Sequence, residues 1–284
     1  MDIIVFLRPV HHPALPIIPG TAPTVDSLPG YQAVMNPKDE LALEASLTLR
    51  DSNPEEVHLT VCSVGGEAAK QVLQECLVFN INEAIHLQES CWEPDGLITA
   101  GRMMDFFRST SFDLVLLGAN DTDTGIGQAG PMFSALTGLP YIDSVVDILS
   151  LGKTKLEVLR REKRLQERIH VSLPAVMGIL RGAPLRYHSF WGKLKARHKV
   201  IRSLPSHRST YHPAVERKKI TRSKPKTTAM AGGYGQVNSA DRIRQAVGIL
   251  SSGPPQKGDS LIKGRPEDTA LKAVNLLKKE KLLE

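Results

Sequence analysis

Residues 113–131, Asp113-Leu-Val-Leu-Leu-Gly118-Ala-Asn-Asp-Thr-Asp-Thr-Gly-Ile-Gly-Gln-Ala-Gly-Pro131, join an all-apolar run to a loop of small residues that opens a helix. The run Leu114 to Leu117 is too short for a helix and lacks the polar alternation of a half-exposed strand. It reads as a strand buried on both faces. In an open α/β sheet, ligands bind in the loop beyond the carboxyl end of such a strand. Gly125, Gly127 and Gly130 let backbone approach a ligand, and the N–H groups opening the next helix offer a positive dipole end to a phosphate. Asp121 and Asp123 would repel a phosphate aimed at them, which leaves them to bond a ribose, cap the helix or hold the loop. The spacing is neither a Rossmann GxGxxG nor a Walker loop, so the segment stands open between a nucleotide site and a structural turn.

Working outward, similar apolar runs at 3–7 and 57–64 alternate with helical patterns. Asn36-Pro37 reads as an N-cap with proline at the first helical position, followed by Leu41, Ala45 and Leu49 at four-residue spacing. Residues 67–79 place Ala69, Val72, Leu73, Cys76 and Leu77 on one stripe, 95–109 form a third helix, and 127–137 lead to a short strand around Leu139-Pro140-Tyr141. Then the period changes: 154–161 and 165–171 alternate polar and apolar around Glu162-Lys163-Arg164, an antiparallel hairpin, before a buried strand at 174–180. The fold class is α/β, a doubly wound and mostly parallel sheet with a β-hairpin excursion. Residues 1–202 form the α/β domain. Residues 203–284 begin as a polar, basic stretch (Arg208, Arg217, Lys218, Lys219, Arg222, Lys224, Lys226), an extended arm or a solvated loop, and end on helical spacing at Ala270, Val274 and Leu277.

Among the 284 residues, 41% are hydrophobic and 23% charged, which excludes a wholly disordered, collagen-like or disulfide-scaffold chain. The net charge of +6 suits an anionic partner without demanding one. No apolar run reaches the roughly 18 residues of a membrane span, and Met1 to Leu7 is too brief for a signal-peptide core, so a cytoplasmic chain is expected. Three scattered cysteines, Cys62, Cys76 and Cys91, fit a reducing compartment and no metal site. His11-His12 is the one adjacent histidine pair, and neighbours on an extended segment point opposite ways, a poor metal pair. No GxSxG elbow or HExxH helix occurs, and Cys62 reads as a buried small hydrophobe. Phe190-Trp191 before a basic run reads either as a cover for the core or as a docking surface.

Taken in order, these pieces resemble the β subunit of electron transfer flavoproteins over residues 1–200. Met35-Asn36-Pro37 with Glu40-Leu41-Ala42 and Glu44-Ala45 is similar to that family's helix start. The loop through Asp123, Gly127, Gln128, Gly130 and Pro131 is similar to its nucleotide-binding segment. Leu173-Pro174-Ala175-Val176, then Pro184, Arg186-Tyr187, Ser189, Gly192 and Lys195-Ala196, follow its later motifs. The resemblance implies an adenine-nucleotide hydrolase-like fold that carries electrons and performs no hydrolysis. It implies an α subunit holding the redox-active FAD, with AMP or a second FAD in this chain's own site. Phe6, Asn36, Cys62, Gly118, Asp123, Gly127, Gln128 and Ala129 would border that nucleotide. Lys38 stands where the family often has an aromatic facing the α-subunit flavin, and Gly125 where it has a second aspartate. Phe190-Trp191 replaces the Leu-Pro of the partner-recognition loop, with Lys195 beside it, so these three would dock an acyl-CoA or other dehydrogenase or a quinone reductase. The basic arm and C-terminal helix would wrap the α subunit. A Gly-Ser-Pro-Thr-like stretch of bifurcating members is not evident after residue 200, which favours a non-bifurcating member with an AMP-type site. The rival reading is a free-standing adenine-nucleotide sensor resembling a universal stress protein. A nucleic-acid binder lacks interleaved aromatics on the basic arm.

Overall fold

A computed structural model describes residues 1–15, 30–89, 95–108, 110–123, 125–152 and 154–205. The basic arm and the C-terminal helix expected beyond residue 205 lie outside the described residues, as does Cys91.

The chain begins with β1 (Asp2–Phe6) and a small antiparallel pair, β2 (Pro9–His11) and β3 (Ala33–Met35). There follow α1 (Pro37–Ser52), β4 (His58–Gly65), α2 (Glu67–Cys76) with a 3-10 turn at Leu77–Phe79, and β5 (Glu83–Gln88). Next come α3 (Gly96–Phe107), β6 (Leu114–Gly118), α4 (Ala129–Thr137) and β7 (Tyr141–Leu151). The hairpin β8 (Lys155–Glu162) and β9 (Leu165–Ser172) precedes β10 (Ala175–Ile179), α5 (Phe190–Ala196) and β11 (Ile201–Leu204).

The strands form one nine-stranded sheet in the order β11-β5-β4-β1-β6-β10-β7-β8-β9. Pairing is parallel from β11 to β7 and antiparallel from β7 to β9. Alternation along the central strands builds two cores. Ile3, Val5, Leu59, Val61, Leu114 and Leu116 face α1 and α2, where they meet Leu43, Leu47, Val72 and Leu73. Ile4, Phe6, Cys62, Val115 and Leu117 face α3 and α4, where they meet Met103, Phe106, Phe107 and Phe133. Removing each large apolar side chain from water contributes about 1.5–3 kcal/mol, so two covered faces hold the sheet in place.

The doubly wound sheet, the parallel strands and the hairpin agree with the sequence pattern. Four details differ. The buried row of α1 is Ala42, Leu43, Ser46 and Leu47, while Leu41 and Ala45 are half-buried, because the chain returning after β10 covers a second side of this helix. β5 and β11 were not expected. Phe190-Trp191 opens a short helix rather than lying in a loop. Asn36 stands at the N-cap of α1, yet its side chain does not cap the helix and is used elsewhere.

Candidate functional site

The sequence of strands runs outward from β1 to β4 and β5, then returns to the other side of β1 for β6 and β10. The order therefore reverses between β1 and β6, and loops leaving the carboxyl ends of these two strands diverge there and leave a crevice.

Arg8 lies two residues beyond the end of β1 and is buried, as is Asp39 in the first turn of α1. Asp39 Oδ2 accepts from the Arg8 backbone N–H (2.8 Å) and from Arg8 Nε (3.3 Å); Oδ1 accepts from Arg8 Nη2 (3.1 Å) and the Gly118 N–H (2.8 Å). Arg8 Nη2 also donates to the Gly118 carbonyl (3.1 Å), and Nη1 pairs with Asp121. One buried ion pair thus ties the ends of β1 and β6 to the start of α1. Asn36 adds a second tie: its Nδ2 donates to the Asn120 carbonyl (3.0 Å) and its Oδ1 accepts from the Thr122 N–H (3.3 Å). Beyond them the loop closes on itself, with Asp121 Oδ2 accepting from the Gly127 N–H at 3.4 Å. Gly127 sits at φ +59°, and a Cβ there would come within 2.2 Å of the Ala119 carbonyl oxygen. Here glycine is needed for the loop's own turn.

Two helices begin at the crevice. Gln128 at the N-cap of α4 makes no side-chain capping bond, and among the described residues no acceptor engages the first-turn N–H groups of Ala129 and Gly130. Opposite, Asp95 caps α3 by accepting from the Leu97 N–H (2.7 Å), and a Cβ on Gly96 would come within 2.7 Å of Gln128 Cβ. The resulting cleft, about 410 Å³ with its open mouth included, is lined by Arg8, Pro9 and Val10 after β1, Asp95, Gly96 and Thr99 of α3, and Asp121, Asp123, Ile126, Gln128 and Ala129 after β6.

Of the residues expected at a nucleotide, Asp123, Gln128 and Ala129 line this cleft, while Gly118, Gly125, Gly127 and Asn36 shape the loop around it. Phe6 and Cys62 face each other across β1 and β4 with fully buried side chains, so only their backbone can approach a ligand. Burial pushes the Cys62 thiol pKa well up, which keeps it an unreactive thiol. Lys38 Nζ donates to the Leu180 carbonyl at 3.1 Å. Sequence reasoning missed Arg8, Asp95 and Thr99 as lining residues. A cation ending an apolar strand and an Asp-Gly helix start were the available signals.

A second group lies on α5. Ser189 caps it by accepting from the Gly192 N–H (2.9 Å), and Gly192 packs on the Val78 carbonyl, which a Cβ would approach to 2.0 Å. Phe190 is 71% and Trp191 70% exposed, their rings edge to face at 6.0 Å, with Tyr187 at 99% and Val200 at 84% nearby. That exposure removes the core-cover reading. Lys193, Lys195 and Arg197 stand exposed on the same short helix or at its end. Among the described residues, no cluster of three or more His, Cys, Asp or Glu could hold a metal, and no helix is long and apolar enough to cross a membrane. His11 and His12 each accept from a backbone N–H, of Gln32 and Ala14.

A family model described as the electron transfer flavoprotein domain matches residues 30–201, more than half of the chain. The chain is 29% identical over 178 residues to an electron transfer flavoprotein subunit beta of Bacillus subtilis, covering 62% of this chain and 68% of that protein. It is 29% identical over 154 residues to the caffeyl-CoA reductase-Etf complex subunit CarD of Acetobacterium woodii, covering 52% and 56%. It is 29% identical over 161 residues to the protein FixA of Azotobacter vinelandii, covering 54% and 56%. The matched stretch thus spans little more than half the length of the last two. With the crevice at the strand reversal and the motifs of residues 35–45, 113–131 and 173–196 in order, the chain belongs to the electron transfer flavoprotein family, on the side of its β subunits.

Proposed function

We propose that this chain is the β subunit of a heterodimeric electron transfer flavoprotein. It pairs with an α subunit that holds the redox-active FAD and binds AMP, or a second FAD, in its own cleft. The observation that carries the nucleotide reading is the convergence of the α3 and α4 starts on a cleft where the strand order reverses, with the first turn of α4 left uncapped. Backbone N–H groups of Ala129 and Gly130 suit a phosphate, and a carboxylate at the mouth such as Asp123 suits ribose hydroxyls. The flavin of the partner subunit supplies the electron chemistry; this chain binds, orients and docks. Phe190, Trp191 and Lys195 form the docking surface for the dehydrogenase or acceptor, since large exposed aromatics beside cations anchor protein contacts.

The test is to purify the chain with its α subunit, denature the complex and identify what is released by mass and visible absorbance. One adenine nucleotide per chain beyond the α-subunit flavin is expected, colourless for AMP and yellow for FAD. Release of the α-subunit flavin alone would refute the site.

A further inference from the structure

Arg186 precedes the exposed ring pair by four residues and turns back onto α1. Its Nε lies 3.0 Å from both carboxylate oxygens of Glu44, its Nη2 lies 2.7 Å from Oε1, and its backbone N–H donates to Oε2 at 3.0 Å. Its Nη1 pairs with Asp51. Glu44 is buried, whereas Asp51 lies at the surface. From Asp51 the network continues: Oδ1 accepts from Arg50 Nη2 at 3.1 Å, and Arg50 Nη1 donates to the carbonyls of Phe79 (3.0 Å) and Asn80 (3.2 Å). That turn is also the seat of α5, through Gly192 against Val78, and Lys199 Nζ donates to the Ile81 carbonyl.

A helix of seven residues does not hold itself in water, so its orientation comes from what it rests on. The 77–81 turn supports it from below, and Arg186 fixes the chain that enters it. Both supports lead back to α1, through Glu44 and through Asp51 and Arg50. The planar fork of arginine engages Glu44 through two nitrogens while a third meets Asp51, a geometry the point charge of lysine does not reproduce. With both carboxylates on it, the Arg186 charge belongs to this network rather than to the basic face of Lys193, Lys195 and Arg197.

We propose that Arg186 is a positioning residue for redox-partner docking: through Glu44, Asp51 and Arg50 it holds the short helix that presents Phe190 and Trp191 to the partner. This rests on the docking reading above. Fixing the rings in one orientation removes part of the ordering cost of binding, so loss of Arg186 weakens docking without touching the flavin or the nucleotide.

The test uses the full chain in complex with its α subunit and compares wild type, Arg186→Gln and Phe190→Ala/Trp191→Ala. Amide hydrogen exchange is followed over residues 186–199, and electron transfer is titrated with a protein donor that reduces the wild-type complex, an acyl-CoA dehydrogenase first. For Arg186→Gln we expect exchange in α5 and KM for the donor each to rise about ten-fold. The kcat, flavin absorbance and nucleotide content should hold, and adding Phe190→Ala/Trp191→Ala should raise KM no further than those two changes alone. Unchanged exchange, or a raised KM for the ring variant but not for Arg186→Gln, overturns the positioning role. An unchanged KM for the ring variant itself overturns the docking reading and this inference with it. Glu44→Gln serves as the second variant and is expected to behave as Arg186→Gln does.

Discussion

Replacing Asp39 by asparagine tests whether the buried pair with Arg8 holds the proposed nucleotide-binding loop. The carboxylate accepts four hydrogen bonds, two on each oxygen: from the Arg8 backbone N–H and Nε on Oδ2, and from Arg8 Nη2 and the Gly118 N–H on Oδ1. An amide must turn its NH2 toward one of these pairs, so either orientation sets a donor against two donors. Hydrogen bonds to charged groups contribute about 1.5–3 kcal/mol each, and breaking a buried pair from one side costs about 3–5 kcal/mol. The second figure governs, because Arg8 stays buried and keeps only Asp121 and the Gly118 carbonyl. Against a total stability of about 5–15 kcal/mol, that is a large fraction. With a urea slope of about 2–3 kcal/mol per molar, the midpoint should fall by about 1–2 M. The assay is urea unfolding followed by circular dichroism, with nucleotide content measured on the same preparation and expected to drop. A midpoint within about 0.3 M of wild type, well below the expected shift, together with full nucleotide content would refute the reasoning.

Gly127 and Gly125 both lie at positive φ, but a Cβ on Gly127 would strike the Ala119 carbonyl at 2.2 Å while one on Gly125 meets nothing within 4 Å. Gly125→Ala should therefore cost about 1–2 kcal/mol of backbone strain alone, and Gly127→Ala clearly more, with nucleotide lost only in the second; equal nucleotide content in the two variants would count against the loop assignment. Burial first, then the charges of Glu75 and Asp39, raises the Glu40 carboxyl above its ordinary 4.5. A raised acid costs stability as pH climbs through 4.5 and beyond, and costs nothing below it. Glu40→Gln should thus raise the melting temperature at pH 7 and leave it unchanged below pH 4, a difference that melting curves at the two pH values will show.

How much was legible follows from where each residue gets its partners. β1, β4 and β6 were readable because both faces of each are apolar, as the two cores require. β5 was not, because Glu83, His86 and Gln88 interrupt the apolar pattern; His86 is buried all the same, its Nε2 bonded to the Gly65 carbonyl at 2.9 Å. The polar edge strand β11, Ile201-Arg-Ser-Leu204, leaves still less trace. α5 was hidden by its length and by Gly192, which disfavours a helix locally but is required by the close Val78 carbonyl. At the cleft, the glycines announced the loop because they answer to local backbone geometry. Arg8, Asp39 and Asn36 did not announce their roles, because their partners lie 31, 79 and 84 residues away in sequence.

The two candidate regions occupy opposite ends of the parallel sheet, and α1 spans between them. The cleft sits at the carboxyl ends of β1 and β6, whereas α5 rests on the turn that precedes β5 and leads into β11 at the amino ends. The first turn of α1 serves the cleft through Asn36 and Asp39; its later turns serve α5 through Glu44, Arg50 and Asp51. At 1.5 Å per residue, Glu44 lies about 7.5 Å and Asp51 about 18 Å along the helix from Asp39, and neither shares a hydrogen-bond partner with it. Sites at or beyond about 7–10 Å with no shared partner usually contribute additively. One rigid helix thereby gives the proposed nucleotide cleft and the proposed docking helix separate supports. That separation is why a change at Asp39 is read in nucleotide content and stability, and a change at Arg186 in the affinity for a protein donor.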